Sequence, residues 1–269
     1  MIVPVAGLMV WPFLKFQNFH FSYSPTLDAI LSVFESGRWY VTLRTLRIAA
    51  TITAIEILIS LPFAMWLAFV VKSARAKAFI LATLTVPFFL SLSSRTIVWR
   101  SVLGNTGLIN VTLQHLGLIQ EPIDWLLFSE FSVMLGLIGP GFPTMILPIY
   151  TSLTLIDREL LEAGPDLGAP PHRVFLDIIL PLILPGIVAG VIFTFVPMLG
   201  ETVVPTLLGG GHVSLLGNSI TSLIGVLNYT TAAALGLVVL VILLALLAIL
   251  RSISGDSGQL GKVFESMRR

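Results

Sequence analysis

Long apolar runs separated by short polar stretches dominate the chain. A helix that crosses a membrane needs about 20 apolar residues at about 1.5 Å of rise each, and six runs are candidates. Residues 2–16 form a short first run, and residues 41–71 a long second one. The third, 78–102, contains Pro87 and a polar patch from Ser91 to Arg95. The fourth, 131–156, carries Gly136, Gly139, Pro140, Gly141, Pro143 and Pro148. The fifth, 178–208, holds four prolines, and the sixth, 232–250, has no polar side chain. Glycine and proline are tolerated in crossing helices because neighbours satisfy the freed carbonyls, and small residues let backbones approach.

Composition agrees with this pattern. Of 269 residues, 56% are hydrophobic and 11% charged, and the mean hydropathy is +0.98. Soluble domains carry about 25% charged residues. The chain therefore reads as an all-α membrane protein, one transmembrane domain over residues 1–269 with about six crossings. A net charge of +1 argues against nucleic acid as a partner, and without cysteine there is no disulfide, thiolate ligand or thiol nucleophile. His20, His115, His172 and His212 are too scattered to hold a metal. "MIVPVAGLMVWPF" starts apolar and lacks the basic leader expected before a signal or first crossing.

Lysine and arginine set the expected orientation. Lys72, Arg75 and Lys77, then Arg158 and Arg173, then Arg251, Lys262, Arg268 and Arg269 account for nine of the 15 basic residues. Most of the other six lie in or beside apolar runs, and residues 209–231 have none. The 72–77 loop, the central loop and the C-terminus are therefore expected in the cytoplasm. Six crossings would put the N-terminus there as well.

The central loop, about 157–177, is polar and broken by glycine and proline. Asp157 suits an N-cap, and Leu160, Leu161 and Ala163 would form a small apolar face on a short helix. Pro165 should weaken or end that helix, and Gly168 can take the left-handed turn. Pro170 and Pro171 suit the first turn of the next segment. The outcome is either a docking knob on the cytoplasmic face or an ordinary connection.

The same stretch resembles the signature of the inner-membrane permease subunits of bacterial ABC importers, E-A-A, three residues, G, nine residues, I-x-L-P. Glu162, Ala163, Gly168, Ile178, Leu180 and Pro181 match at full spacing, while Gly164 stands where alanine is usual. "TLRIAATITAIEILISLPFAMWLA", "RTIVWRSVLGNTGLIN" and "PMLGETVVPTLLGG" are similar to the spermidine/putrescine subgroup. The resemblance implies the MetI-like fold of a type I importer in the bacterial inner membrane. It implies a second permease subunit, usually non-identical, an extracytoplasmic solute-binding protein that selects the ligand, and a cytoplasmic ATPase dimer that binds ATP and magnesium. It also implies that Leu160, Leu161, Glu162, Ala163, Gly164, Asp166 and Gly168 couple that ATPase to the crossing helices.

Two carboxylates fall inside apolar runs. Glu56 lies mid-run, and an ionised group there costs about 2.5–3.5 kcal/mol. Arg47 is about 13 Å away along a helix, too far to pair. Glu56 is either a pathway carboxylate for a cationic solute or a partner in an interhelical hydrogen bond. Glu201 lies near the outer end of the fifth run, with Pro197 and Pro205 a turn away on either side. Pro197 frees a carbonyl, and broken helix beside a carboxylate suits a transport pathway. The alternative for Glu201 is a structural bond to a loop. Arg95, Trp99 and Arg100 suit an interfacial anchor or a partner contact.

No G-x-x-x-x-G-K-[ST] loop is present, so ATP would be bound by another chain and this one is not expected to be an enzyme. A membrane-embedded enzyme would have to use the cluster Asp157, Glu159 and Glu162, which helix N-terminal charge preference explains as well. A stand-alone secondary transporter would normally show two internal repeats, and none is visible.

Overall fold

The computed structural model describes residues 2–17, 20–22 and 25–267. Helix α1, Ile2–Val10, leads through a 3-10 turn at Trp11–Phe13 into a two-stranded antiparallel hairpin of β1, Lys15–Gln17, and β2, His20–Ser22, with Phe16 opposite Phe21. Helix α2, Asp28–Glu35, is followed at Gly37 by α3, Arg38–Met65, which continues as a π-turn at Trp66–Val70. Then come α4, Ala74–Thr85, α5, Leu92–Leu103, and α6, Leu108–His115. Helix α7, Glu130–Thr154, holds Pro140, Pro143 and Pro148 without breaking. Helix α8, Arg158–Asp166, lies in the central loop. Helix α9, Pro171–Arg173, a π-turn at Val174–Ile179 and α10, Leu180–Leu199, form one continuous run. The chain closes with α11, Val203–Leu208, α12, Leu216–Gly225, and α13, Tyr229–Met267.

Among the described residues, four helical runs are long and apolar enough to cross a membrane: Arg38–Val70, Asp124–Thr154, Pro171–Leu199 and Tyr229–Ser252. A fifth arises if the broken pair Ala74–Phe89 and Leu92–His115 is counted as one. These correspond to five of the six expected runs. In the sixth, 2–16, the described helix α1 has nine residues, about 14 Å of rise against a hydrocarbon core of about 30 Å. Pro12 removes a backbone donor where that helix would continue, and the chain turns into a 3-10 turn and strand. The third run is also not one continuous helix. Pro87 falls in a 3-10 turn at Val86–Phe89, and the Ser91 side chain caps the next helix by accepting from the Ser94 amide at 3.1 Å.

Residue contacts divide the chain into two compact units, each assembled from separated stretches. The first comprises Met1–Ile52, Leu90–Gly139 and Pro197–Leu244. Its buried cluster joins Ala29 and Val33 of α2 to Leu216 and Leu223 of α12 and to Ala232, Ala234 and Leu235 of α13. Within it the Glu130 carboxylate pairs with both Arg44, at 3.4 Å, and Arg47. The buried Leu216 amide donates to the Thr45 hydroxyl at 2.9 Å.

The second unit comprises Thr53–Phe89, Pro140–Val196 and Ala245–Arg269. Its core packs Ala64 against Met145, Ile146, Ile149 and Leu153 of α7 and against Val174, Ile179 and Ile183. Small residues bring α7 and α10 into backbone contact. A Cβ at Gly186 would stand 2.6 Å from the Pro148 carbonyl oxygen. The wide π-turn at Val174–Ile179 lies just ahead of Pro181, whose ring would crowd the carbonyl of the preceding turn in a regular α-helix.

Candidate functional site

The central loop folds as a nine-residue helix with a defined stop. Asp157 occupies the N-cap position with extended backbone, but its side chain makes no capping bond. Pro165 falls in the last turn, and α8 ends one residue later at Asp166. Gly168 has φ +76°, a left-handed position at which a side chain costs about 1–2 kcal/mol. The Ala169 amide donates to the Gly164 carbonyl at 3.0 Å and the Gly168 amide to the Pro165 carbonyl at 2.8 Å. This pair of bonds is a Schellman stop, so the turn expected at Gly168 forms and the exit direction of the chain is set.

Gly164 is the contact point between this helix and the next crossing. It is buried, and a Cβ there would stand 2.9 Å from Val174 Cγ2 and 3.3 Å from Ile178 Cδ1. The glycine that departs from the usual alanine thus lets α8 sit directly on the π-turn that leads into α10. Leu161 is half-buried and packs against the second unit's core. The apolar face expected from Leu160, Leu161 and Ala163 is therefore divided, because Leu160 and Leu161 are half-buried while Ala163 is exposed. The leucines left fully in the open flank the helix: Leu155 is 79% and Leu167 88% exposed. Sequence reasoning passed over both, although each sits beside a helix-ending residue where no apolar face would hide it. Glu159, Glu162 and Asp166 are exposed around them.

Beside α8 lies a cavity of about 730 Å³ lined by Lys72, Lys77, Leu153, Thr154, Leu161 and Glu162, among others. Lys77 Nζ donates to the Ala68 carbonyl at 2.8 Å, which ties the α3–α4 turn down next to the knob. All seven expected coupling residues, Leu160, Leu161, Glu162, Ala163, Gly164, Asp166 and Gly168, thus sit on α8 and its stop.

Glu56 is fully buried in the second unit beside the Thr194 hydroxyl, a contact too loose in geometry to count as a full hydrogen bond to either carboxylate oxygen. A Cβ at Gly141 of α7 would overlap the carboxylate, so the side chain occupies a notch that only glycine leaves open. Thr53 Oγ1 and Ser60 Oγ are also buried without partners. Residues 53, 56 and 60 share one face of α3 by helical spacing. Nearby polar groups are the hydroxyls of Thr144 and Thr194, 3.2 Å apart.

Glu201 belongs to the first unit, in the break between α10 and α11. Its Oε1 accepts from the amides of Val203, at 2.6 Å, and Val204, at 3.2 Å, and so caps α11. Pro197 lies in the last turn of α10, where its carbonyl accepts from the Gly200 amide at 3.2 Å. Arg100 places its guanidinium 5.7 Å from the centre of the Phe128 ring, and Arg95 Nε is buried without a partner.

Residues 53–255 match the family described as "Binding-protein-dependent transport system inner membrane component". The chain is 33% identical to the spermidine/putrescine transport system permease protein PotB of Haemophilus influenzae, over 77% of this chain and 71% of that one. It is 34% identical to the inner membrane ABC transporter permease protein YdcU of Escherichia coli, over 86% of this chain and 77% of that one. Among solved structures, it resembles a chain of a bacterial alginate ABC transporter in complex with an alginate pentasaccharide-bound periplasmic protein. That likeness has a TM-score of 0.69 at 17% identity and covers 94% of this chain and 88% of that one.

Proposed function

Since the chain belongs to the binding-protein-dependent transport system inner membrane components, we propose that it forms half of the translocation pathway of an ATP-driven importer. A second, non-identical permease completes the pathway, and an extracytoplasmic binding protein delivers the solute. A cytoplasmic ATPase dimer, which binds the ATP and magnesium, supplies the work. The solute is a polyamine or a related cationic amino compound, a class supported by the names of the PotB relatives. The chain itself carries no catalytic step.

The observation that supports this reading most directly is α8. It is short, it ends in a Schellman stop, and it bears on Val174 and Ile178 through Gly164. Exposed leucines and acids around it offer a surface for the ATPase, and a displacement of α8 pushes on the π-turn and so on the Pro171–Leu199 crossing. Close-packed side chains transmit such a displacement because they cannot be compressed. On this reading α8 is cytoplasmic, and five crossings place the α3–α4 turn and the end of α13 on the same side.

The pathway is assigned to the helix break at Pro197 and Glu201 and to Glu56. Glu201 spends one oxygen on the α11 cap and leaves Oε2 without a described bond. Glu56 is a buried carboxylate held only loosely, beside the Thr194 hydroxyl, and a helix movement that vacates the Gly141 notch would present it to a passing cation.

The experiment is reconstitution. The purified chain alone should neither hydrolyse ATP nor move solute, and with its partners it should do both. Glu162→Ala and Gly168→Ala should leave ATP hydrolysis running while uptake falls. Autonomous solute flux through the lone chain in liposomes would overturn the proposal.

A further inference from the structure

A second cavity, of about 560 Å³, lies in the first unit among Asn105, Asp124, Trp125, Phe128, Ser129 and His212, with Leu127 behind them. The crossing Asp124–Thr154 begins at this cavity and ends next to α8. On the reading above, which this step rests on for sidedness, the cavity therefore opens on the extracytoplasmic side.

Its lining combines a carboxylate with aromatic surface. The Asn105 amide donates to Asp124 Oδ1 at 3.0 Å, which orients the carboxylate, and Oδ2 has no described bond. Trp125 is 60% exposed, and its ring meets Phe131 edge-on at 5.3 Å between centres. Phe128 has φ +60°, a conformation rare for a bulky side chain. Its ring rests on Gly210, where a Cβ would overlap it, and Gly210 itself has φ +56°. The backbone is thus held in a costly shape that places an aromatic ring at the cavity, the kind of strain that gathers at binding sites. Arg100 rides on the same ring from outside the lining set. Arg44 and Arg47 are paired with Glu130. Asp124 is therefore the one carboxylate or fixed charge lining the cavity among the described residues, with the His212 imidazole beside it.

We infer that this cavity is an entry site for a primary alkylammonium group, with Asp124 accepting its N–H bonds and the exposed Trp125 ring supporting its charge. A carboxylate facing exposed aromatic surface suits an organic cation. The same carboxylate repels anionic solutes, and a hydroxyl in place of the ammonium would forgo both charge terms.

The test is calorimetric titration of the purified permease–ATPase complex in nanodiscs, without binding protein and without ATP. The titrants are 1,4-diaminobutane and, as a neutral isostere, 1,4-butanediol. The diamine should bind saturably and the diol at least tenfold more weakly. Asp124→Asn and Trp125→Ala should each weaken diamine binding about tenfold, Trp125→Phe less than threefold, and Glu35→Gln at the exposed end of α2 not at all. Thermal midpoints check that each variant is folded. Equal binding of diamine and diol, or unchanged diamine binding in Asp124→Asn, overturns the site. Because no transport is measured, the result stands apart from the import reading.

Discussion

Single glycines carry more of the proposed coupling than the charged residues beside them. Gly164 could be read in advance only as a departure from alanine, because nothing local says that Val174 and Ile178 will lie against it. The folded chain supplies the reason: a methyl group there meets the short, stiff Val174 side chain at 2.9 Å. Gly164→Ala should therefore lift α8 off the π-turn and lower stability by about 1–3 kcal/mol, the usual cost of overpacking. The ratio of ATP hydrolysed to solute imported should rise with it. A second substitution, Val174→Ala, should restore both the melting midpoint and that ratio. Glu56 poses the complementary case. Its charge inside an apolar run was plain from sequence, but the seat at Gly141, far away in the chain, was not. Gly141→Ala should destabilise the protein by about 1–3 kcal/mol, and much less when Glu56 is replaced by serine. A double-mutant cycle on thermal unfolding measures this coupling. Additive effects would mean that the carboxylate and the notch do not share space.

At the level of elements, apolar run length foretold α3, α7, α10 and α13 well, because a crossing helix is specified by little more than about 20 apolar residues. The failures lie where polar groups near a proline open another route. Ser91 and Pro87 divide the third run, and Pro12 ends α1. The same physics makes Glu201 a cap. Its carboxylate satisfies two amides at the start of α11 that the helix break leaves without partners. Glu201→Gln retains an acceptor oxygen and should keep the thermal midpoint. Glu201→Ala should lose about 0.5–2 kcal/mol, as other lost caps do. Uptake separates the two roles: with the cap intact, the Gln variant should still import a cationic solute at least tenfold more slowly. Full uptake by that variant would reduce Glu201 to a cap.

For the whole molecule, the partition of exposed apolar surface matters most. Leu58, Phe79, Val241 and Leu244 lie open along helices read as crossing, where lipid or, on the proposed function, a second permease subunit covers them without penalty. Leu155 and Leu167 cannot be explained that way. They flank a helix bearing Glu159, Glu162 and Asp166, in a loop whose polarity keeps it out of the bilayer. Water is a poor environment for two leucines this exposed, each worth about 1.5–3 kcal/mol on burial, so a protein partner should cover them. Leu167→Asp and Leu155→Asp should leave the chain inserted and folded, because neither side chain is needed in its core. Each should weaken co-purification of the ATPase by at least tenfold, and the double variant should abolish it. Pull-down from detergent at fixed permease yield reads this out. If the ATPase is retained fully by the double variant, the knob is not where the engine docks, and the coupling route through Gly164 loses its starting point.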